Sequence, residues 1–190
     1  MYDIVFLSYG EPNAEQNWKM LVERFPNAKR VDGVNGIHAA HEKAAKKSLT
    51  KMFWVVDADA EIVDDFDFTI HSAFKEIRED TVYTWRSINP VNGLMYGYGG
   101  VKLLPKKLCK NLNQDSCDVT TSISEHFQAM PEISNITRFN SDSFSAWKSG
   151  FRECAKLASG SIERHNDNEN KRRLDIWCNQ GANDIYGIDA

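Results

Sequence analysis

The chain has few cysteines, no long apolar segment and no excess of positive charge. None of its 4 cysteines has C-x-x-C spacing, so a cysteine-based zinc or redox site is not predicted. No stretch approaches the ~20 apolar residues of a membrane span, and the first residues are typical of a strand rather than a secretory signal. The formal net charge of −4 argues against binding nucleic acid through bulk charge. We therefore expect a cytoplasmic protein without a membrane span.

Strand and helix patterns alternate through the first half of the chain. Continuous apolar runs at 4–7 and 52–56 are typical of strands buried on both faces. Apolar residues at helical spacing predict a helix over 14–25, and an alanine-rich stretch predicts another over 37–49. This alternation predicts an α/β fold, Rossmann-like, with a mostly parallel sheet flanked by helices. In the second half, 143–157 is predicted as a helix, and the polar stretch 163–173 as a loop.

Two aspartates follow the clearest strand. Asp57 and Asp59 come directly after the apolar run 52–56, and ligands of open α/β sheets bind beyond the carboxyl ends of their strands. The spacing allows both carboxylates to reach one ion. Hard oxygen ligands suit Mg²⁺ or Mn²⁺, which can neutralise charge on a departing diphosphate. We therefore predict a divalent metal at Asp57 and Asp59.

The segment 53–59, FWVVDAD, resembles the D-x-D motif of glycosyltransferases with the A-type fold, and the chain is also similar to small glycosyltransferase-like proteins of bacteriophages. The resemblance implies that the first strand and its loop receive the nucleotide of a nucleotide-sugar, and that a late histidine, here His165, completes the metal shell. The glycine segment, Gly99-Gly100-Val101, is similar to the acceptor-side glycine segment of family-two members. The donor-binding residues expected on this basis are Leu7, Ser8, Tyr9, Gly36, Lys43, Asp57, Ala58, Gly99 and Gly100.

The catalytic base is less directly indicated. Family-two enzymes commonly carry a Glu-Asp pair at a helix start, and none follows the glycine segment here. Asp142, at the head of the helix predicted over 143–157, is the first candidate, because a carboxylate near an acceptor hydroxyl can take its proton. Its position is also fully explained as a helix N-cap. Asp175 and Glu125 are the further candidates.

The expected function is metal-dependent transfer of a sugar from a nucleotide-sugar to an acceptor hydroxyl, with inversion. We expect one domain over 1–190, with 1–90 binding the donor and 91–190 facing the acceptor. The acceptor is left open among a modified DNA base, a glycan and a protein. A basic cluster, Lys102 with Lys106, Lys107 and Lys110, either contacts a polyanion or is ordinary surface charge.

Two alternatives stay open. A phosphatase of the haloacid dehalogenase type also places D-x-D after an apolar strand, with Asp57 as nucleophile. It would need Thr or Val where this chain has Glu61, and its motif would lie on the first strand. The other alternative is an inactive module that binds a nucleotide-sugar but lacks a base.

Overall fold

The computed structural model describes residues 1–70, 76–96, 99–110, 112, 119–159 and 167–180. The strands are β1 (Asp3–Ser8), β2 (Lys29–Asp32), β3 (Met52–Asp57), β4 (Ala60–Ile62), β5 (Thr81–Ile88), β6 (Met95–Tyr96), β7 (Val101–Pro105) and β8 (His126–Thr137). The helices are α1 (Ala14–Arg24), α2 (Ile37–Lys47), a 3-10 helix (Leu108–Lys110), α3 (Val119–Ile123), α4 (Ser143–Ser159) and α5 (Asp167–Asn179).

The chain forms two compact units. The first consists of Met1–Ser87 and Gly97–Ile136, and the second of Ile88–Tyr96 and Thr137–Ala190. The D-x-D segment belongs to the first unit and Asp142 to the second. The assignment of donor and acceptor to the two sides of residue 90 stays a prediction.

The sheet of the first unit has the order β2-β1-β3-β7-β5-β8-β4. β1 pairs in parallel with both β2 and β3, whereas β7 is antiparallel to both β3 and β5. Strands β2, β1, β3 and β5 therefore run in one direction and β7 runs against them. The carboxyl ends of β1, β2 and β3 consequently lie at the same edge of the sheet.

Helices cover both faces of this sheet, as predicted. Successive strand residues point to opposite faces, so β1 and β3 contribute to two cores. Ile4, Phe6, Trp54 and their neighbours pack with α1 through Leu21. The alternate residues, which include Val5, Leu7, Phe53 and Val55, pack with α2 through Ala44 and Ala45. Residues 52–56 are fully buried between β1 and β7, which confirms the predicted interior strand.

The second unit confirms one predicted element and corrects another. Helix α4 begins at Ser143, where a helix was predicted. The prediction of a loop over 163–173 is wrong from Asp167 onward, because α5 begins there. Glu169 accepts hydrogen bonds from Arg172 and Arg173, three and four residues later, at 2.8 Å. Such pairs stabilise a helix that has little apolar surface.

None of the described helices is long and apolar enough to cross a membrane.

Candidate functional site

The ends of β1 and β3 bring three of the predicted donor-binding residues, Leu7, Ser8 and Asp57, to one edge of the sheet. In the register of the parallel strands, Ser8 of β1 lies beside Asp32 of β2, and Leu7 lies beside Asp57 of β3. The loop after β2 is held to β1 by a hydrogen bond from the Gly33 amide to the Ser8 carbonyl, at 3.0 Å. Gly33 adopts φ +65°, a left-handed conformation that favours glycine.

An open cavity of about 480 Å³ lies at the ends of β1 and β2. The described residues that line it are Tyr9, Gly10, Glu11, Ala14, Glu15, Arg30, Asp32 and Gly33. Tyr9 is 60% exposed at this cavity. Asp57 and Asp59 are not among the described lining residues, and a pocket that they share with Ser8 and Tyr9 stays a prediction.

A polar network fixes the cavity wall. The Ser8 hydroxyl donates to the Asp32 carboxylate and accepts a hydrogen bond from Arg30 Nε at 2.9 Å. The Arg30 guanidinium also forms an ion pair with Glu15 at 2.6 Å. The hydrogen bond to Glu15 is the main cause that raises the pKa of Arg30, and the Asp32 carboxylate acts in the same direction. The guanidinium lies 5.7 Å from the centre of the Phe6 ring. The wall is therefore held in place before any ligand binds.

The D-x-D turn is anchored on both sides. Asn17 of α1 donates to the Ala58 carbonyl at 2.8 Å, and the Asp57 amide donates to the Gly100 carbonyl at 2.9 Å. Ala58 itself is 1% exposed. These bonds hold the backbone between the two aspartates, so the carboxylates extend from a rigid support.

The two aspartates differ in their surroundings. Burial raises the pKa of Asp59 to about 7, and the carboxylates of Asp57 and Glu11 act in the same direction. Lys102 acts against this rise. Asp57 has its own counter-ion, because Lys102 Nζ donates to both of its carboxylate oxygens, at 2.9 Å each.

Lys102 is buried, so the interpretation of its cluster as surface charge does not hold for this residue. Its side chain is 4% exposed, whereas that of Asp57 is 33% exposed. Lys102 lies opposite Val55 across β3 and β7. Because Val55 belongs to the α2 face of the sheet and side chains alternate, Lys102 and Asp57 lie on that face as well.

The predicted metal has no complete ligand set in the part of the chain that the structure describes. There, no three His, Cys, Asp or Glu side chains gather as a metal centre would require. Both Asp57 oxygens already bind an ammonium group. His165, the predicted third ligand, lies outside the described residues. The described residues therefore do not fit a divalent ion in this arrangement.

Close packing explains why a glycine stands at position 100 of the glycine segment. A Cβ atom at Gly100 would lie 2.6 Å from the side-chain nitrogen of Asn135, whereas one at Gly99 would meet nothing within 4 Å. Asn135 is fully buried and accepts a hydrogen bond from Ser134 at 2.8 Å. Gly100 is thus needed for close packing beside the Asp57 amide, and donor contact by Gly99 and Gly100 stays a prediction.

Gly36 and Lys43 lie at α2. Gly36 precedes the helix with φ +91°, and Lys43 is exposed on the helix surface. His38 and His41 are buried, and His41 Nδ1 lies 2.8 Å from the Ile37 carbonyl oxygen. The start of α2 follows the loop after β2, so Gly36 lies near the edge where the strands end, as the resemblance implies.

Asp142 is the N-cap of α4. Its carboxylate accepts hydrogen bonds from the Ser145 amide at 2.9 Å and the Ser145 hydroxyl at 2.7 Å. The Ser145 amide is the main cause that holds the pKa of Asp142 below its usual value. The capping interpretation is confirmed, and a role as base stays a prediction. The other candidates, Asp175 on α5 and Glu125 before β8, are both exposed.

Three residues of this region were missed or misread from the sequence. Asp32 ends the second strand, where Rossmann-like proteins place an acidic residue against a ribose. That position could have indicated it. No pattern in the sequence indicated a role for Arg30, two residues earlier. Lys102 was noticed only as one of several lysines, because its burial depends on the pairing of β7 with β3.

Comparison with known proteins gives likenesses to solved structures alone. No family model and no curated protein matches the chain. HddC from Yersinia pseudotuberculosis has 15% identity and a TM-score of 0.47, over 69% of this chain and 90% of HddC.

Two further solved structures show a likeness of the same level. A glycosyltransferase involved in glycosylation of the major capsid of PBCV-1 has 12% identity and a TM-score of 0.41, over 67% of this chain and 81% of that one. S. aureus TarS 1-349 has 12% identity and a TM-score of 0.49, over 94% of this chain and 71% of that one. None of these similarities assigns a reaction to this chain, and its function is therefore inferred from the site.

Proposed function

We propose that this protein is a glycosyltransferase that moves a sugar from a nucleotide-sugar to an acceptor hydroxyl. The observation that carries the proposal is the arrangement at one sheet edge: an open cavity at the ends of β1 and β2 beside the D-x-D turn at the end of β3. Open α/β sheets bind nucleotides at such strand ends. The likeness of residues 53–59 to the D-x-D motif supports the same assignment.

The cavity wall offers groups that suit a nucleoside. The Asp32 carboxylate is a hydrogen-bond acceptor for a ribose hydroxyl or a base N–H, and Tyr9 offers an exposed ring on which a base can stack. Because Ser8 and Arg30 already hold Asp32, little side-chain freedom is lost on binding.

The proposed transfer is a single displacement at the anomeric carbon. The acceptor oxygen bonds to the anomeric carbon, the bond from that carbon to the diphosphate oxygen breaks, and the electron pair leaves with the nucleoside diphosphate. The hydroxyl proton passes to a carboxylate base, for which Asp142 is the candidate, with a modified DNA base or a glycan as acceptor. No step is assigned to Mn²⁺ or Mg²⁺, although a metal stays a prediction.

A screen of nucleotide-sugars by thermal shift, with EDTA and with Mn²⁺, tests donor binding. A ligand of the folded state raises Tm by mass action. We expect at least one nucleotide-sugar to do so, and Asp32→Asn to weaken its binding about tenfold. Asp65→Asn, which changes an exposed carboxylate outside the cavity lining, is the matched control. Failure of every donor to bind would contradict the proposal.

Turnover separates this function from its alternatives. Release of nucleoside diphosphate that depends on an added DNA or glycan acceptor indicates transfer. Donor binding without such release would favour the inactive module, and hydrolysis of p-nitrophenyl phosphate would favour the phosphatase.

A further inference from the structure

Lys102 holds Asp57 in the way that a bound cation would. The ammonium nitrogen lies 2.9 Å from each carboxylate oxygen, so it bridges the two oxygens symmetrically. A bidentate divalent ion would take the same side of the carboxylate, and it cannot do so while the ammonium is there. Asp59, the second aspartate of the motif, is also within the electrostatic reach of Lys102.

The position of Lys102 is built into the sheet. The residue is on β7, between Val55 of β3 and Thr84 of β5 in the register of the strands. Its side chain is 4% exposed, so the ammonium group is supported by the fold rather than by solvent. Removing an ammonium group from water is expensive unless it is paired, which makes the contact with Asp57 a stable feature of the folded chain.

The pair retains capacity to bind an anion. A lysine ammonium has three N–H donors, and two of them bond to Asp57. Within the described residues, the third has no acceptor. Asp57 is 33% exposed at the edge where β3 ends, whereas the Lys102 side chain is 4% exposed. A phosphate oxygen that bonds to the third N–H must therefore come from the side of Asp57.

From these contacts we infer that the Lys102 ammonium is the cation of the donor site and that donor binding and transfer need no divalent metal. This inference rests on the proposed function. Lys102 donates its third N–H to a diphosphate oxygen and stabilises the negative charge that the departing nucleoside diphosphate acquires. The D-x-D carboxylates then position the ammonium group, and Asp57 is a positioning residue.

The first test needs neither a donor nor a variant. Wild-type protein is titrated with Mn²⁺ while Tm is measured, and the expected result is no shift that EDTA reverses. An EDTA-reversible rise in Tm of the wild-type protein would overturn the inference, because the ion would then bind in spite of Lys102.

Variants give the converse test. Lys102→Met removes the ammonium group and leaves two carboxylates, so we expect an EDTA-reversible rise in Tm with Mn²⁺. The double variant Lys102→Met, Asp57→Asn keeps only the Asp59 carboxylate of the motif, and we expect it to fold without this response. Lys51→Met removes a lysine that pairs with Glu79 at 3.0 Å on the exposed surface and serves as the matched control. A Mn²⁺ response in the double variant or the control, or none in a folded Lys102→Met variant, would overturn the inference.

Donor binding completes the experiment. With a nucleotide-sugar found in the screen, wild-type affinity and turnover are expected to be the same in EDTA and in Mn²⁺. Lys102→Met is expected to bind the donor about tenfold or more weakly in EDTA and to regain affinity in Mn²⁺. A wild-type enzyme that binds its donor only with Mn²⁺ would overturn the inference and leave the proposed function standing. A wild-type protein that binds no donor would overturn the proposed function, while the Mn²⁺ titration still decides whether Lys102 excludes the metal.

Discussion

Asp57 and Asp59 are two residues apart but differ in electrostatic environment. Asp57 faces the Lys102 ammonium, whereas Asp59 is raised in pKa by burial and by the carboxylates of Asp57 and Glu11. At pH 8 we expect Asp57→Asn to lower the free energy of unfolding by roughly 2–4 kcal/mol, because it removes the carboxylate to which the buried Lys102 ammonium is hydrogen-bonded. Asp59→Asn relieves repulsion and is expected to raise it by about 1 kcal/mol or more.

Urea unfolding of both variants and the wild type measures this difference. The opposite signs are the informative result, since a general loss of packing would lower both values. If the two substitutions change stability equally, Lys102 does not distinguish the aspartates, and the pairing with Asp57 is not a major source of stability.

Gly100 and Gly99 differ in the space beside them. Gly100→Ala would place a Cβ 2.6 Å from the Asn135 side chain, which is fully buried. We expect a loss of about 1–3 kcal/mol from this overpacking and a weaker hold on the Asp57 amide. Gly99→Ala meets nothing within 4 Å and should change stability by less than about 0.5 kcal/mol. Thermal unfolding of the two variants compares them, and equal stability would contradict the close packing of Gly100.

At the level of elements, the first turn of α4 depends on Asp142. Asparagine can also cap a helix, so Asp142→Asn should leave stability nearly unchanged, whereas Asp142→Ala should cost about 1 kcal/mol. If Asp142 is also the base, Asp142→Asn lowers transfer by roughly 10²-fold while donor binding is retained. Helicity by circular dichroism and transfer rate together separate the two roles. Full activity of Asp142→Asn would leave Asp142 as a cap and direct the search to Asp175 and Glu125.

The apolar pattern predicted β3 and α4, whereas helix α5, which has no such pattern, was not predicted. Strand β3 and helix α4 carry continuous or helical apolar patterns, and both appear where these patterns predict them. Helix α5 lacks such a pattern, and Glu169 forms ion pairs with Arg172 and Arg173 along it. Charge pairs at helical spacing are a weaker signal than an apolar stripe, because polar stretches without a helix contain them too.

At the scale of the whole molecule, local patterns predicted which strand ends share an edge of the sheet, but not the order of the strands. The alternation of strands and helices was sufficient to place the ends of β1 and β3 at one edge, with Ser8 near Asp57. The Asp57–Lys102 contact joins residues 45 positions apart. It depends on β7 lying next to β3, and no local period indicates a strand order. The sequence therefore indicated two carboxylates for a metal, but it did not indicate that the Lys102 ammonium group binds the carboxylate of Asp57.

Asp3 joins three distant segments, and acid should weaken that connection. Its carboxylate accepts hydrogen bonds from Ser48 and the Leu49 amide after α2 and pairs with Lys29 of β2 at 2.9 Å. Burial alone would raise its pKa, but these partners outweigh it and hold the pKa below 3.8. A lowered folded-state pKa means that the stabilisation is fully present above about pH 4, the value of an unfolded aspartate, and is lost as the pH falls through the folded-state value.

We therefore expect Asp3→Asn to lower the free energy of unfolding at pH 7, by roughly 1–3 kcal/mol for a charged hydrogen-bond acceptor. Because protonation of Asp3 in the wild type removes the same charge, the difference between the two proteins should shrink as the pH falls below 3.8. Urea unfolding from pH 7 into this acidic range measures it, with Asp65→Asn as the control for an exposed carboxylate. A difference that stays constant with pH would mean that the Asp3 side chain acts by shape rather than by charge, and that the three segments are held together by their backbone pairing and packing alone.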